Sequence, residues 1–306
     1  MKTDFNGLTD EMLIDMLHAV HKSDTEIKPA EYLYVLSHVC CMPMFSEFRD
    51  KSLTFLQMAA EKGHMEACLY LSLQYSLGNE VEKDKEKADY WLKEAAAQKS
   101  TVAMSLLAYD ALVKEKQEEF EFWMKKGIEE GCLVAYYDLG VFYLLNKNHE
   151  KAYAMFVEAA KSGFPGAFYN LGVFYYNGQY VEKDYIMAMK YFRKAIDHNF
   201  CHAYGPLGII YYYGLSGKEN YKKGLKIFLR GAEKGDALSC YELARIYKNG
   251  FGVNENQDLA EKYEILAEKY GYYLDNEAYL NLVMNTETMD LIKEKIANQI
   301  KSKYIY

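Results

Sequence analysis

The 306-residue sequence predicts an all-α fold, an α/α superhelical solenoid of about seven helix-pair repeats with degenerate terminal caps. Three observations lead to this fold class. A motif recurs every 32 or 36 residues, its apolar residues have helical spacing, and a glycine recurs at one fixed place within it. Half of the residues are hydrophobic and only 4 are proline, which suits a folded helical chain.

Two landmark positions mark each repeat, the first on helix A and the second on helix B. The first landmark is a small residue: Ala67, Ala103, Ala135, Ala167, Ala203 and Ser239. The second follows 17 or 21 residues later: Ala88, Phe120, Ala152, Ala188, Gly224 and Ala260. From a second landmark to the next first landmark the step is always 15 residues. Stacking predicts this pattern, because successive hairpins must join at fixed geometry whereas the loop within a hairpin faces solvent.

Small residues also mark the helix ends and contacts that we predict. Ser52 is the second landmark of the repeat before Ala67. Eleven residues after a second landmark, where a helix C-cap needs a left-handed backbone, stand Gly63, Gly131, Gly163, Asn199, Gly235 and Gly271. Five residues after a first landmark, where we expect neighbouring helices to approach closely, stand Ser72, Ala108, Gly140, Gly172, Gly208 and Ala244.

The predicted division of the chain has three parts. They are an N-terminal capping helix within 1–30, seven repeats over 31–274, and C-terminal capping helices within 275–306. The leading helix covers 8–22, and the first repeat, 31–66, is degenerate because Pro43 breaks its loop. The last two helices cover 275–283 and 288–303. Terminal repeats are atypical because one of their sides faces water.

The most regular repeat identifies a family. From Ala167 to Ala195 the chain reads AFYNLGVFYYNGQYVEKDYIMAMKYFRKA, which resembles the Sel-one-like repeat, a relative of the tetratricopeptide repeat. The likeness is strong in the repeats that start at 67, 167, 203 and 239, whereas the repeat at 103 lacks the loop glycines and the one at 135 has a short loop. The resemblance implies an α/α superhelix that serves as a protein-binding scaffold or adaptor without shared catalytic residues.

The resemblance also implies where a partner binds. The concave wall of such arrays consists of the helix-A positions that packing does not use, at about +2, +6, +9 and +10 from the first landmark. In two N-terminal repeats these positions hold Leu69, Leu73, Ser76 and Leu77, then Ser105, Tyr109, Leu112 and Val113. We expect the partner-binding residues to be Tyr137, Tyr169, Tyr176, Asn177, Tyr212, Tyr213, Tyr241, Arg245 and Lys248. Tyrosine combines large contact area with few rotatable bonds, as binding hot spots require.

The wall residues have a second interpretation. A tightly wound superhelix buries its own inner wall, in which case the same tyrosines pack between repeats. The tyrosines at +8 are expected in the core in either case: Tyr75, Tyr143, Tyr175, Tyr211 and Tyr247. Arg245, Lys248 and Asn249 suit either an acidic side chain or peptide carboxylate, or a solvated surface.

Composition and charge exclude several function classes. The formal net charge of −8 argues against non-specific binding to nucleic acid or anionic membranes. The six cysteines lack a CxxC motif and are expected to be buried thiols in a reducing compartment. The N-terminal residues lack the pattern of a signal peptide, and no stretch of about 18 apolar residues exists, so we expect a cytoplasmic protein that does not span the membrane.

Chemical motifs are few. His198, Cys201 and His202 lie close in sequence but fall on the turn between two repeats without a fourth ligand, so we expect neither a metal nor a cofactor. The segment 249–253 has the glycines of a phosphate-binding loop but belongs to the loop within a repeat. No set of acid, base and nucleophile is recognisable, so we expect that the protein is not an enzyme.

The sequence therefore predicts a non-enzymatic scaffold or adaptor that binds a protein or peptide partner along a tyrosine-rich concave face. A narrower version is a regulator or neutraliser of one cognate bacterial protein. The alternatives are a hydrolase with a cleft at the loop edge of the solenoid, and a self-associating array that uses the C-terminal helices. The sequence leaves the oligomeric state open.

Overall fold

The computed structural model describes residues 30–41, 51–78 and 81–271, and these consist of α-helices and connecting turns without a β-strand. The predicted helices over 8–22, 275–283 and 288–303 lie outside the described residues, as do Pro43 and most of its loop. Within the described ranges the predicted all-α repeat solenoid is confirmed.

Fourteen α-helices occupy the described residues and form seven hairpins of helix A and helix B. The first six are α1 (Ala30–Val39), α2 (Ser52–Glu61), α3 (Met65–Leu77), α4 (Lys85–Ala97), α5 (Thr101–Val113) and α6 (Gln117–Glu129). The next four are α7 (Leu133–Leu145), α8 (His149–Lys161), α9 (Pro165–Asn177) and α10 (Tyr185–Asp197). After a 3₁₀ turn at Cys201–Ala203 follow α11 (Tyr204–Tyr212), α12 (Tyr221–Glu233), α13 (Ala237–Asn249) and α14 (Gln257–Lys269).

The chain divides into two compact units, Met1–Ala135 (unit 1) and Tyr136–Tyr306 (unit 2), with the boundary inside α7. In unit 1 the core includes Leu33, Leu56 and Leu71, which come from α1, α2 and α3. In unit 2 it includes Phe192 and Phe228, from α10 and α12. Each core therefore draws its side chains from several hairpins, as expected when a repeat cannot bury its apolar face alone.

Side-chain caps start the helices at fixed places in the repeat. On helix B the cap stands four residues before the second landmark and accepts a backbone N–H bond: Asp84, Asn148, Asp184, Asn220 and Asn256. On helix A it stands three residues before the first landmark: His64, Ser100 and Asp236. These residues satisfy N–H groups that the first turn of a helix leaves unpaired, and they fix where each helix begins.

The predicted C-cap position has a left-handed backbone in every repeat that the structure describes. Gly63 and Gly235, for example, have φ of 80° and 82°. Asn199 adopts φ 63° as the predicted substitute, and Lys99 adopts φ 69° at the one place where the sequence has neither glycine nor asparagine. Because the conformation persists at Lys99, the hairpin junction, rather than the glycine, determines the backbone there.

Three of the small residues five places into helix A, namely Gly140, Gly172 and Gly208, pack against phenylalanine rings of helix B, as predicted for packing residues. A Cβ atom added to Gly140 would lie 2.7 Å from Cε1 of Phe156, and one added to Gly172 would lie 2.6 Å from Cε1 of Phe192. The ring occupies the space that a side chain would need. Any larger residue would therefore overpack the contact within the hairpin.

We expect Gly172→Ala to lower the free energy of unfolding by about 1–3 kcal/mol, because the new methyl group overlaps the Phe192 ring. Gly127→Ala in α6 is the matched control, since its Cβ would lie 3.6 Å from Cys132, an ordinary contact. That change should be neutral or add up to about 1 kcal/mol through helix propensity. Urea unfolding of both variants checks the prediction, and equal stability would contradict it.

Candidate functional site

The predicted tyrosine wall is largely buried in unit 2. The relative exposure is 8% for Tyr169, 0% for Tyr176, 0% for Tyr212, 4% for Tyr213 and 7% for Asn177. The expectation that these side chains face an open groove is therefore wrong, and inter-repeat and intra-hairpin packing account for them.

The tyrosines at +2 pack against phenylalanines of two successive hairpins. The Tyr169 ring lies 5.9 Å from the Phe192 ring and 5.3 Å from Phe200, which precedes the next repeat. Tyr137, which is half-buried, makes the equivalent contacts with Phe156 and Phe164. The tyrosine ring at +2 thus packs between helix B of its own hairpin and the turn that leads into the next repeat.

The tyrosines at +9 pack within their own hairpins. The Tyr176 ring stands edge-on to Tyr185 and Phe192, and Tyr212 makes the same pair of contacts with Tyr221 and Phe228. The two hydroxyl groups differ. The Tyr212 hydroxyl donates a hydrogen bond to the backbone carbonyl of Phe251. The Tyr176 hydroxyl finds no hydrogen-bond partner among the described residues, and burial raises the pKa of Tyr176 well above its ordinary value.

The C-terminal candidates surround a buried glutamate. Glu242 is fully buried, and its carboxylate accepts a hydrogen bond of 2.7 Å from the Tyr213 hydroxyl and one of 2.9 Å from Arg245 Nη1. The Arg245 guanidinium lies over the half-buried Tyr241 ring at 5.6 Å. Lys248 is exposed and pairs with Glu264 at 3.1 Å. Of the predicted site residues in unit 2, Lys248 is therefore the most accessible.

The tyrosines at +8 divide into two groups. Tyr75 and Tyr143 are buried, as predicted. Tyr175, Tyr211 and Tyr247 are half-buried and pack at the edge of the unit 2 core, where Tyr175 stacks on Tyr191 and Tyr247 on Tyr263.

In unit 1 the helix-A face is apolar and accessible, whereas the corresponding tyrosines of unit 2 are largely buried. Six residues at +3, +6 and +10 of two consecutive repeats form what we call the apolar strip: Tyr70, Leu73 and Leu77 on α3, and Leu106, Tyr109 and Val113 on α5. Their relative exposure runs from 37% for Tyr70 to 83% for Val113. Val102 and Leu112 on α5 are also exposed. The predicted wall positions include most of these residues, although the tyrosines chosen as binding residues lie in unit 2.

Charge on the helices of the strip has one sign. The helices A of unit 1, α1, α3 and α5, contain Glu31, Glu66 and Asp110 and no lysine or arginine. Asp110 pairs with Lys114, the residue after α5, whereas Glu31 and Glu66 both lie beside His64 at the start of α3. The helices A α7, α9 and α11 also lack lysine and arginine, so the exposed apolar residues together with Glu31 and Glu66, rather than the missing basic residues, distinguish this face.

Comparison with known proteins identifies the repeat. The Sel1 repeat family model matches residues 49–64, 66–100, 133–164, 167–200, 201–236 and 237–263. The chain belongs to the Sel1 repeat family. The α5–α6 hairpin, which lacks the loop glycines, falls between two of the matched segments.

Solved Sel1 structures share this fold. A protective antigen of uropathogenic Escherichia coli with an SLR fold has 24% identity and a TM-score of 0.69, over 89% of this chain and 59% of that one. A Sel1 repeat protein from Oxalobacter formigenes has 21% identity and a TM-score of 0.58, over 84% of this chain and 99% of that one. This chain therefore spans little more than half the length of the first of these proteins. No curated protein sequence matches it.

A cavity lies at the loop edge of unit 2, where the hydrolase alternative places a cleft. Its volume is about 470 Å³, and it is lined by Tyr175, Glu182, Lys183, Asp184, Tyr185, Ile186, Leu215 and Ser216. Asp184 already caps α10 by accepting bonds from the N–H groups of Ile186 and Met187. Histidine and cysteine are absent from this lining, so the cavity offers no activated nucleophile of the usual kinds.

The part of the chain that the structure describes contains neither a cluster of metal ligands nor a thiol that burial makes more acidic. No group of three or more His, Cys, Asp or Glu is arranged there to hold a metal ion. Burial raises the pKa of Cys68 to about 11 and that of Cys240 to about 12, so both remain protonated thiols. Cys41, in contrast to the prediction for the cysteines, is exposed. None of the described helices is long and apolar enough to cross a membrane.

We expect Tyr176→Phe and Tyr212→Phe to have opposite effects, although the two residues occupy equivalent places in consecutive Sel1 repeats. Tyr176→Phe removes a buried hydroxyl without a partner and should leave stability unchanged or raise it by up to about 1 kcal/mol. Tyr212→Phe removes the bond to Phe251 and should cost about 1–2 kcal/mol. Urea unfolding measures both, and a loss of stability in Tyr176→Phe would contradict the assignment.

Proposed function

We propose that this chain is a non-enzymatic scaffold that binds a protein partner through the apolar strip on α3 and α5. Sel1 repeat proteins generally serve as protein-interaction scaffolds. The observation that carries the proposal is the contrast between equivalent helix-A positions. They are buried in most of unit 2, as at Ile209 and Tyr213, and accessible in unit 1, as at Leu73 and Leu77.

The size of the accessible surface supports this role. The eight exposed apolar residues of α3 and α5 leave on the order of 600–800 Å² accessible, and a standard interface buries about 800 Å² per partner. Soluble monomers rarely expose more than a few hundred Å² of contiguous apolar surface unless something covers it. A partner that covers the strip therefore removes an unfavourable contact with water and gains most of its binding free energy there.

The proposal also includes those predicted residues of unit 2 that remain partly accessible. Tyr137 and Tyr241 are half-buried, Arg245 retains 21% of its side-chain exposure and Lys248 retains 58%. We propose Arg245 and Lys248 as a separate polar contact for an acidic group. Their existing bonds to Glu242 and Glu264 mean that such a group has to compete for them.

The narrower version of the function rests on the family resemblance alone. In it the partner is one cognate bacterial protein that the chain regulates or neutralises. We also propose a cytoplasmic location, because buried thiols such as Cys68 and Cys240 suit a reducing compartment.

The hydrolase alternative is less well supported. In the loop-edge cavity the Asp184 carboxylate is engaged in capping, and Ser216 has no histidine beside it in the lining. A serine hydroxyl needs an adjacent base to become a nucleophile, so this cavity does not favour hydrolysis.

The decisive experiment replaces apolar strip residues by charge. We expect Leu73→Asp combined with Leu106→Asp to abolish capture of the partner by the tagged chain from its native lysate. Each substitution places a carboxylate where an apolar contact of about 1.5–3 kcal/mol is lost, so affinity should fall at least tenfold. Quantitative mass spectrometry of the captured proteins is the measurement.

Tyr90→Asp combined with Phe122→Asp is the matched control on helices B of the same unit. Tyr90 and Phe122 are 55% and 54% exposed, close to the 50% and 49% of Leu73 and Leu106. Both double variants should keep the wild-type circular dichroism and melting temperature. Equal capture by the two double variants would refute the proposed site.

A further inference from the structure

We propose that the partner presents a basic amphipathic α-helix to the apolar strip. This inference rests on the proposed function and specifies the chemistry of the partner. Its basis is the juxtaposition of two apolar rows with an acidic end that carries Glu31 and Glu66, on helices that lack lysine and arginine.

Spacing favours a helical partner. On α3 the strip residues stand at i, i+3 and i+7, and on α5 they have the same spacing, so that each helix presents one straight apolar row. Two such rows on equivalent helices of consecutive repeats suit an amphipathic helix, which binds through anchors at i, i+3, i+4 and i+7.

The scarcity of hydrogen-bonding groups on the strip disfavours an extended peptide as the occupant. An extended segment leaves its own backbone N–H and C=O groups in need of partners. The exposed residues of α3 and α5 offer the hydroxyl groups of Tyr70, Ser76 and Tyr109 and the carboxylate of Glu66. The Asp110 side chain is 44% exposed, and its carboxylate already pairs with Lys114. Gln74, the one amide side chain on these two helices, is buried. A helix satisfies its backbone internally and needs none of these groups.

Charge favours a basic partner. Unit 1 contains 15 basic and 24 acidic residues, a formal net charge of −9, whereas unit 2 contains 21 and 20, a net charge of +1; together they give the −8 of the whole chain. Glu31 is 77% exposed and Glu66 51% exposed, and they lie on either side of His64. Lysine or arginine on the partner helix, placed beside this end of α3, would be attracted to both carboxylates.

The same charge disfavours other occupants. A second copy of this chain that bound through its own apolar strip would bring unit 1, with a net charge of −9, against an acidic surface. Nucleic acids and anionic lipid surfaces would be repelled for the same reason. The lysines of unit 1 lie outside helices α1, α3 and α5; Lys114, the residue after α5, pairs with Asp110, whereas Glu31 and Glu66 lie beside His64.

The test selects the preferred helices from a mixture of defined composition. A displayed library of helix-forming peptides carries apolar residues at i, i+3, i+4 and i+7 and either lysine or glutamate at every flanking position. It is panned on the full chain, with the Leu73→Asp, Leu106→Asp double variant as the counter-selection. We expect the enriched peptides to be rich in lysine, and to bind the wild type at least tenfold more tightly than the double variant in fluorescence anisotropy.

A second pair of variants isolates the charges. Glu31→Gln with Glu66→Gln should weaken the selected peptides about threefold to tenfold and reduce the salt dependence of binding. Glu118→Gln with Glu129→Gln on α6 makes the same change in net charge at exposed positions of a helix B and should leave binding unchanged.

Several outcomes would overturn the inference. They are enrichment of glutamate-rich or charge-indifferent helices, failure to enrich any helix over the counter-selection, and equal effects of the two glutamine pairs. Strip-dependent self-association in sedimentation would also overturn it, since the occupant would then be a second copy. In each case the capture experiment with Leu73 and Leu106 decides separately whether the strip binds a protein partner.

Discussion

The contact between a phenylalanine ring of helix B and a glycine of helix A is the constraint on which the hairpins α7–α8, α9–α10 and α11–α12 depend. The ring occupies the volume in which a side chain would stand, so a larger residue at the glycine would force the two helices apart. The 15-residue step to the next helix A repeats unchanged, also after the hairpins α3–α4 and α5–α6, which lack this glycine and phenylalanine pair. The caps at fixed offsets from the landmarks then set where each helix begins.

Burial of one and the same repeat position differs between the two units, and this difference creates the candidate site. Position +6 is Ile209 in unit 2, where it is fully buried, and Leu73 in unit 1, where half of the side chain is accessible. Position +3 is Glu242 in unit 2, buried with Tyr213 and Arg245, and Leu106 in unit 1, exposed without a charge. At these positions a shared motif thus places buried side chains in one unit and exposed apolar side chains in the other.

The sequence was sufficient for the fold because its determinants are local and repeated. Landmark spacing, the left-handed position at Gly63 and its equivalents, and the small residues such as Gly172 each depend on a few neighbouring residues. The site was harder to predict because burial depends on contacts that the motif does not encode. Nothing in the motif itself shows that Tyr212 reaches the carbonyl of Phe251, 39 residues away, or that Glu242 draws Tyr213 inward. The acidic residues Glu31 and Glu66 of helices α1 and α3, in contrast, were readable from the sequence.

The invariant joint between hairpins has an evolutionary consequence. Excision of residues 167–202 would bring Ala203 to the place of Ala167, 15 residues after Ala152, and duplication of the same block would keep that interval at both new joints. Recombination in whole blocks can therefore lengthen or shorten such a chain without new packing solutions, while insertions of arbitrary length are confined to the tips of the hairpins. A change in the number of repeats of this chain would then require only that its 15-residue interval is kept.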